Sequence, residues 1–146
     1  MKAIFRAIGG DGFISPKLFI DGAFVGYDLT RLSTGEAMPL ARAAGTPYAA
    51  RIEGFAFGRF VFSDAAFDYA ENIYDEIITA NIAPIFIDEI GPIELDGGGF
   101  DRIFRRLSNF GRDVYAVIGK SCLEGALLKY EIEARKTIYI SDGGKA

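Results

Sequence analysis

The chain has no histidine and no tryptophan, and only one cysteine and two methionines, in 146 residues. Without histidine there is no Ser-His-Asp triad, no Cys-His pair and no histidine-ligated zinc. Catalysis must then fall to carboxylates, Lys, Arg, Tyr, or a metal held through oxygen. Oxygen-rich coordination that keeps water is the chemistry of Mg²⁺. The lone Cys122 forms no internal disulfide, which suits a reducing, cytoplasmic compartment. Apolar runs near 18 residues and a basic-plus-apolar leader are also missing, so neither a membrane span nor a signal peptide is expected. Nor is there a basic excess. The 16 Lys and Arg against 20 Asp and Glu leave a net charge of −4, which offers no footprint for nucleic acid or an anionic membrane. What the chain does have is 50% hydrophobic residues, with 13 Phe and 7 Tyr for an aromatic-rich core and 18 Gly for tight turns. The length is that of one domain, residues 1–146.

The most informative stretch is Pro84 to Leu95, P-I-F-I-D-E-I-G-P-I-E-L. Ile85, Phe86 and Ile87 form an unbroken apolar run, the pattern of a strand buried on both faces. The run ends in adjacent carboxylates, Asp88 and Glu89, before Gly91 and Pro92 break it. Ligands of open α/β sheets collect beyond the carboxyl ends of the strands. A hydrophobic strand ending in Asp-Glu reads as a Walker-B element, in which Asp88 holds Mg²⁺ and Glu89 orients or deprotonates water. The bland alternative is a strand that exits into solvent with two charges. Glu94, just past the turn, reads as the partner of a nearby cationic side chain.

In chain order, Lys2 to Ile8 reads as a terminal strand or the end of a helix. The glycines at 9, 10 and 12 read as a flexible turn, because neither G-x-G-x-x-G nor G-x-x-x-x-G-K-[ST] is completed there. Phe13 to Ile20 and Ala23 to Leu32 flank Asp21-Gly22, a hairpin signal. Thr34 to Pro47, with Gly35, Pro39, Gly45 and Pro47, reads as a loop. Gly58 to Phe62 reads as a strand, and Ser63 or Asp64 caps a helix running to about Thr79. A second helix carries Phe100, Ile103, Phe104 and Leu107 on one side, with Arg102, Arg105 and Arg106 as a solvated face. Val114 to Ile118 is a strand, Leu123 to Glu133 a helix, Thr137 to Ile140 a last strand, and Asp142 to Ala146 a frayed tail. Strands alternating with helices predict an α/β fold of three layers, with a mixed, mostly parallel sheet bearing an antiparallel hairpin.

Gly119-Lys120-Ser121 has the closing letters of a phosphate loop, but its required first glycine would fall at Val114, inside a strand. A straight strand cannot form the cradle of backbone N–H groups. Lys120 and Ser121 keep a milder candidacy: at a strand tip beside that of Asp88, they could contact a phosphate or the attacking water. Cys122 heads a helix, a position that lowers a thiol pKa, but it has no histidine base to serve it.

F-I-D-E-I-G-P-I-E-L at 86–95 closely resembles the signature strand of the small nucleoside-triphosphatases, a P-loop NTPase family of thermophiles and animals. Weaker matches follow in the family's order. Gly12-Phe13 resembles its G-F-Y strand, Gly26-Tyr27-Asp28 its G-F-D, Pro39-Leu40-Ala41-Arg42 its P-L-A-R, and Gly58 to Phe62 its G-x-Y-x-V. The resemblance implies NTP + H₂O → NDP + Pᵢ, with Asp88 on Mg²⁺ and Glu89 as the catalytic carboxylate. The family's opening strand, G-x-x-x-x-G-K-[ST] loop (Walker A) and helix have no counterpart here, so the expected unit is an incomplete domain, inactive alone. The missing strand would lie between Val114–Ile118 and Thr137–Ile140. That edge is expected to be filled by direct pairing of those two segments, by Lys2–Ile8, or by another chain. The other chain is either a P-loop-bearing partner or a second copy. The rival expectation is a non-catalytic interaction or regulatory module that uses the sheet edge.

Overall fold

The computed structural model describes residues 1–141. A short helix α1 (Lys2–Ile8) leads into strand β1 (Asp11–Ile14), then β2 (Lys17–Ile20), β3 (Ala23–Arg31) and β4 (Ala37–Ala43). A hairpin of β5 (Gly54–Phe57) and β6 (Phe60–Ser63) precedes the long helix α2 (Asp64–Thr79). There follow β7 (Ile85–Ile90), the one-turn helix α3 (Pro92–Leu95), α4 (Asp101–Ser108), β8 (Val114–Ile118) and α5 (Leu123–Lys129).

These strands form one mixed sheet in the order β5-β6-β4-β3-β1-β7-β8, with β2 pairing β3 beside the main path. β7 lies parallel to both β1 and β8, and the remaining pairs are antiparallel. The expected α/β architecture with a mixed sheet and an antiparallel hairpin is therefore present, but the sheet is not mostly parallel, because only the two pairs made by β7 run parallel. Alternation along β7 assigns its two faces. Ile85 and Ile87 join Phe13, Leu29 and residues of α2, α4 and α5 in the main core. Phe86 turns the other way and meets Phe5 of α1 edge-on at 6.0 Å and Tyr115 of β8 in a stack at 5.2 Å. Helices thus cover both faces of β7. Ser63 caps α2 through its side chain, which accepts from Ala66 N. The buried Tyr74 hydroxyl donates to the carbonyl of Phe86 at 2.6 Å and pins α2 to β7.

Of the two readings of Lys2–Ile8, helix is the one found, so the segment adds no strand to the sheet. Three other expectations need correction. Thr34–Pro47 is not all loop, because β4 runs through it with Pro39 opposite Asp28 beside a bulge. β6 pairs only with Ala41, Arg42 and Ala43, so the N–H that Pro39 lacks costs that ladder nothing. The last helix stops at Lys129, and Glu131 adopts a positive φ of 52°. Thr137–Ile140 forms no strand. Ile138, Tyr139 and Ile140 stand exposed, and among the described residues nothing pairs with the outer edge of β8. Two of the three expected fillings of that edge are thereby overturned. The expected tail, 142–146, lies outside the described residues. No helix among the described residues is long and apolar enough to cross a membrane.

Candidate functional site

The carboxyl end of β7 gathers the acids. The β7–β8 register shifts between Ile87 and Ile90, and within that irregularity Glu89 takes a left-handed φ of 66°. Asp88 is half-buried and Glu89 exposed. Asp88 is held from two sides, its Oδ2 accepting from Ser15 N at 2.9 Å and its Oδ1 from Glu89 N at 3.1 Å. Burial pushes the Asp88 carboxyl above the usual aspartate range, outweighing the two backbone donors that pull it down. Ser15 follows the last residue of β1, so the β1 and β7 tips are tied through this one bond. Its own hydroxyl is buried and has no hydrogen-bond partner.

Glu89 has different surroundings. It lines a cavity of about 200 Å³ walled by aromatic rings, among them Tyr27, Phe60, Phe62, Phe67 and Phe100. Another, more open depression of about 480 Å³ lies at Ile78, Arg106 and Phe110, towards the opposite end of β7. It has no carboxylate in its lining and no connection with the acid pair.

Lys120 and Ser121 sit at the same rim as the acids. Gly119 N donates to Ile90 O at 2.9 Å, which seats the turn after β8 against the end of β7. Both side chains are exposed. Cys122 is buried, at 5% exposure, with its Sγ 3.9 Å from Ser121 Oγ. Glu94 is also buried, and the cationic partner expected for its side chain is absent. Its Oε2 accepts from Gly91 N at 2.9 Å and its Oε1 from Phe100 N at 3.1 Å. The nearby Lys129 instead pairs with Asp101 at 2.8 Å and donates to the backbone carbonyls of Glu94 and Leu95. Glu94 therefore braces the turn that follows the acid pair. No residue pattern announces the Ser15 contact, because the bond runs from a backbone N–H.

The sequence pattern of the NTPase family matches residues 6–141. The chain belongs to the NTPase family. Its fold is similar to the solution structure of a human cancer-related nucleoside triphosphatase, with a TM-score of 0.57 and 22% identity over 87% of this chain and 72% of that one. At that identity the likeness is one of fold. No curated protein matches the chain. Within this NTPase-family chain, no cluster of three or more His, Cys, Asp or Glu among the described residues is arranged to hold a metal ion. Any cation here would have to complete its shell from water or a ligand.

Proposed function

We propose that residues 1–146 form a nucleoside-triphosphatase domain that supplies the cation- and water-handling half of its centre. The phosphate-cradling half comes from a strand–G-x-x-x-x-G-K-[ST]–helix segment outside these residues or on a partner chain. The observation that carries this reading is the Asp88-Glu89 pair at the tip of a buried parallel strand, in a chain of the NTPase family.

The donor set fits Mg²⁺. Each Asp88 oxygen accepts one backbone N–H, which leaves a second lone pair on each. One carboxylate with water and phosphate oxygens is the usual Mg²⁺ arrangement, whereas a cage of several carboxylates suits Ca²⁺. Bound there, Mg²⁺ would neutralise charge on the β- and γ-phosphates. Asp88 holds it and is itself held in place by Ser15 N. Glu89, at the exposed end of the same strand, aligns the attacking water and accepts its proton. Lys120 and Ser121, on the neighbouring tip, contact phosphate. The reaction is NTP + H₂O → NDP + Pᵢ, and the domain is inactive without the cradle, whose backbone N–H groups and lysine supply most of the electrostatic stabilisation. The open edge of β8 is where that strand adds.

Thermal unfolding with Mg²⁺ and an NTP tests the reading. At ligand a hundred times its Kd the fold should gain about 2.7 kcal/mol. A second reading, an interaction or regulatory module, is favoured by the β8 edge, unpaired among the described residues, and by the exposed Leu128, Ile138, Tyr139 and Ile140. No shift with any NTP, alone or with a cradle-bearing partner, would favour that second reading.

A further inference from the structure

Among the described residues, one buried side-chain polar atom has no hydrogen-bond partner, and it is Ser15 Oγ. Ser15 is 6% exposed. Other buried polar side chains of the chain are engaged. Asp11 accepts from Gly12 N, Ser33 N, Ser33 Oγ and Arg31, Ser63 caps α2, and Glu94 holds two backbone amides. Burying a hydroxyl without a partner is costly, and an alanine would fill the same place without that cost. The orphan also has a telling position. The backbone N–H of Ser15 rests on Asp88 Oδ2 at 2.9 Å, and Oγ is three covalent bonds from that nitrogen. The hydroxyl and the N–H that meets the carboxylate are thus one side-chain torsion apart.

We propose that Ser15 Oγ is the second protein oxygen of the divalent-cation site at Asp88, bonding to the hydration shell of the cation that Asp88 holds. The proposal rests on the nucleoside-triphosphatase reading and adds to it a positioning residue just after β1, outside the acid motif. A hydroxyl suits this task because it both donates and accepts, so it can serve a water in either orientation. Mg²⁺ keeps several waters when it binds, and each needs an outer partner. An isolated protein water would need two to four polar partners, and with Asp88 and Ser15 in place a cation's water has them.

The test uses the full chain, ¹⁵N-labelled, titrated with Mn²⁺ as a paramagnetic stand-in for Mg²⁺. Line broadening should concentrate at Ser15, Asp88 and Glu89. Ser15→Ala should weaken Mn²⁺ binding about three- to tenfold, the factor a single hydrogen bond carries. Its melting temperature without metal should equal or exceed that of the wild type, because the orphan hydroxyl is gone. Asp88→Asn should abolish the broadening. If Ser15→Ala binds Mn²⁺ as tightly as the wild type while Asp88→Asn does not, the role of Ser15 is overturned and the triphosphatase reading stands. Broadening that is absent from the tip, or that persists in Asp88→Asn, overturns both. A clear fall in the melting temperature of metal-free Ser15→Ala shows that the hydroxyl has a partner inside the protein, and this also overturns the proposal.

Discussion

Replacing Glu94 with alanine removes the acceptor of two backbone donors at once. Phe100 is 4% exposed and its N–H has no route to water, so leaving it unpaired costs about 1–3 kcal/mol. The Gly91 N–H is only half-buried and can turn to solvent, which adds about 0.5–1 kcal/mol. Against these losses, the variant no longer buries a carboxylate. Burial raises the Glu94 carboxyl above its ordinary range, outweighing the two amides that stabilise its charge, and nearby Asp101 raises it further. The net expectation for Glu94→Ala is a loss of about 2–3 kcal/mol, or roughly 5–10 °C in Tm for a chain of this size. Glu94→Gln keeps one carbonyl acceptor and discards the buried charge, so it should cost about 1 kcal/mol or less. Urea unfolding followed by far-ultraviolet circular dichroism and tyrosine fluorescence reads both.

The pH dependence carries the same logic. A carboxyl whose folded pKa is raised favours folding most below its unfolded value of about 4.5, and that contribution fades as pH rises through the folded value. Wild-type stability should therefore lose a component on going up from about pH 4.5 that Glu94→Gln lacks. If Glu94→Ala unfolds within about 0.5 kcal/mol of the wild type, or if Glu94→Gln is the worse of the two, the turn is not braced as described.

Two further substitutions probe how the strand tips are set. In Gly12→Ala the new Cβ would lie 1.9 Å from the carbonyl oxygen of Phe86, at a φ of +143°, where β1 runs against β7. Backbone cannot yield there, so the loss should exceed about 4 kcal/mol and show as unfolded protein by circular dichroism; a folded, stable variant would refute that close approach. Asp11→Ala removes the buried partner of Arg31, whose guanidinium sits 2.7 Å from the 1%-exposed carboxylate and would keep only the exposed Glu76 at 3.2 Å, and should cost about 2–4 kcal/mol by denaturant unfolding. Adding Arg31→Met should recover part of that loss, and no recovery would mean the pair is not coupled.

The parts of this molecule legible in its sequence are those whose signal is local. Ile85, Phe86 and Ile87 announce a doubly covered strand, Asp21-Gly22 marks the β2–β3 turn, and Ser63 marks the start of α2. The unreadable parts depend on partners distant in sequence. Pro39 argues for loop until β6 is seen to stop at Ala41, leaving no ladder bond for its missing N–H to break. Thr137–Ile140 has the composition of a strand, but strand character is completed by a neighbour, and none stands beside it among the described residues. Lys2–Ile8 is too short for periodicity to choose helix over strand. At the site, Asp88 and Glu89 could be picked out as an acidic pair. Their separate surroundings could not, because the Ser15 bond and the aromatic cavity come from β1, β3, β6 and α2. Glu94 is a related case: an acid just past the turn invites an ion pair with some nearby cation, but its oxygens take two backbone amides, and Lys129 reaches Asp101 and backbone carbonyls instead.

The most direct measurement is phosphate release from Mg²⁺-NTP by the full chain mixed with a strand–G-x-x-x-x-G-K-[ST]–helix segment, comparing wild type with Glu89→Gln. The account predicts release that requires both components and falls at least about 100-fold in the variant, the scale of a lost general base. Release at an equal rate with Glu89→Gln, or none from the wild-type mixture although the segment binds, would contradict it.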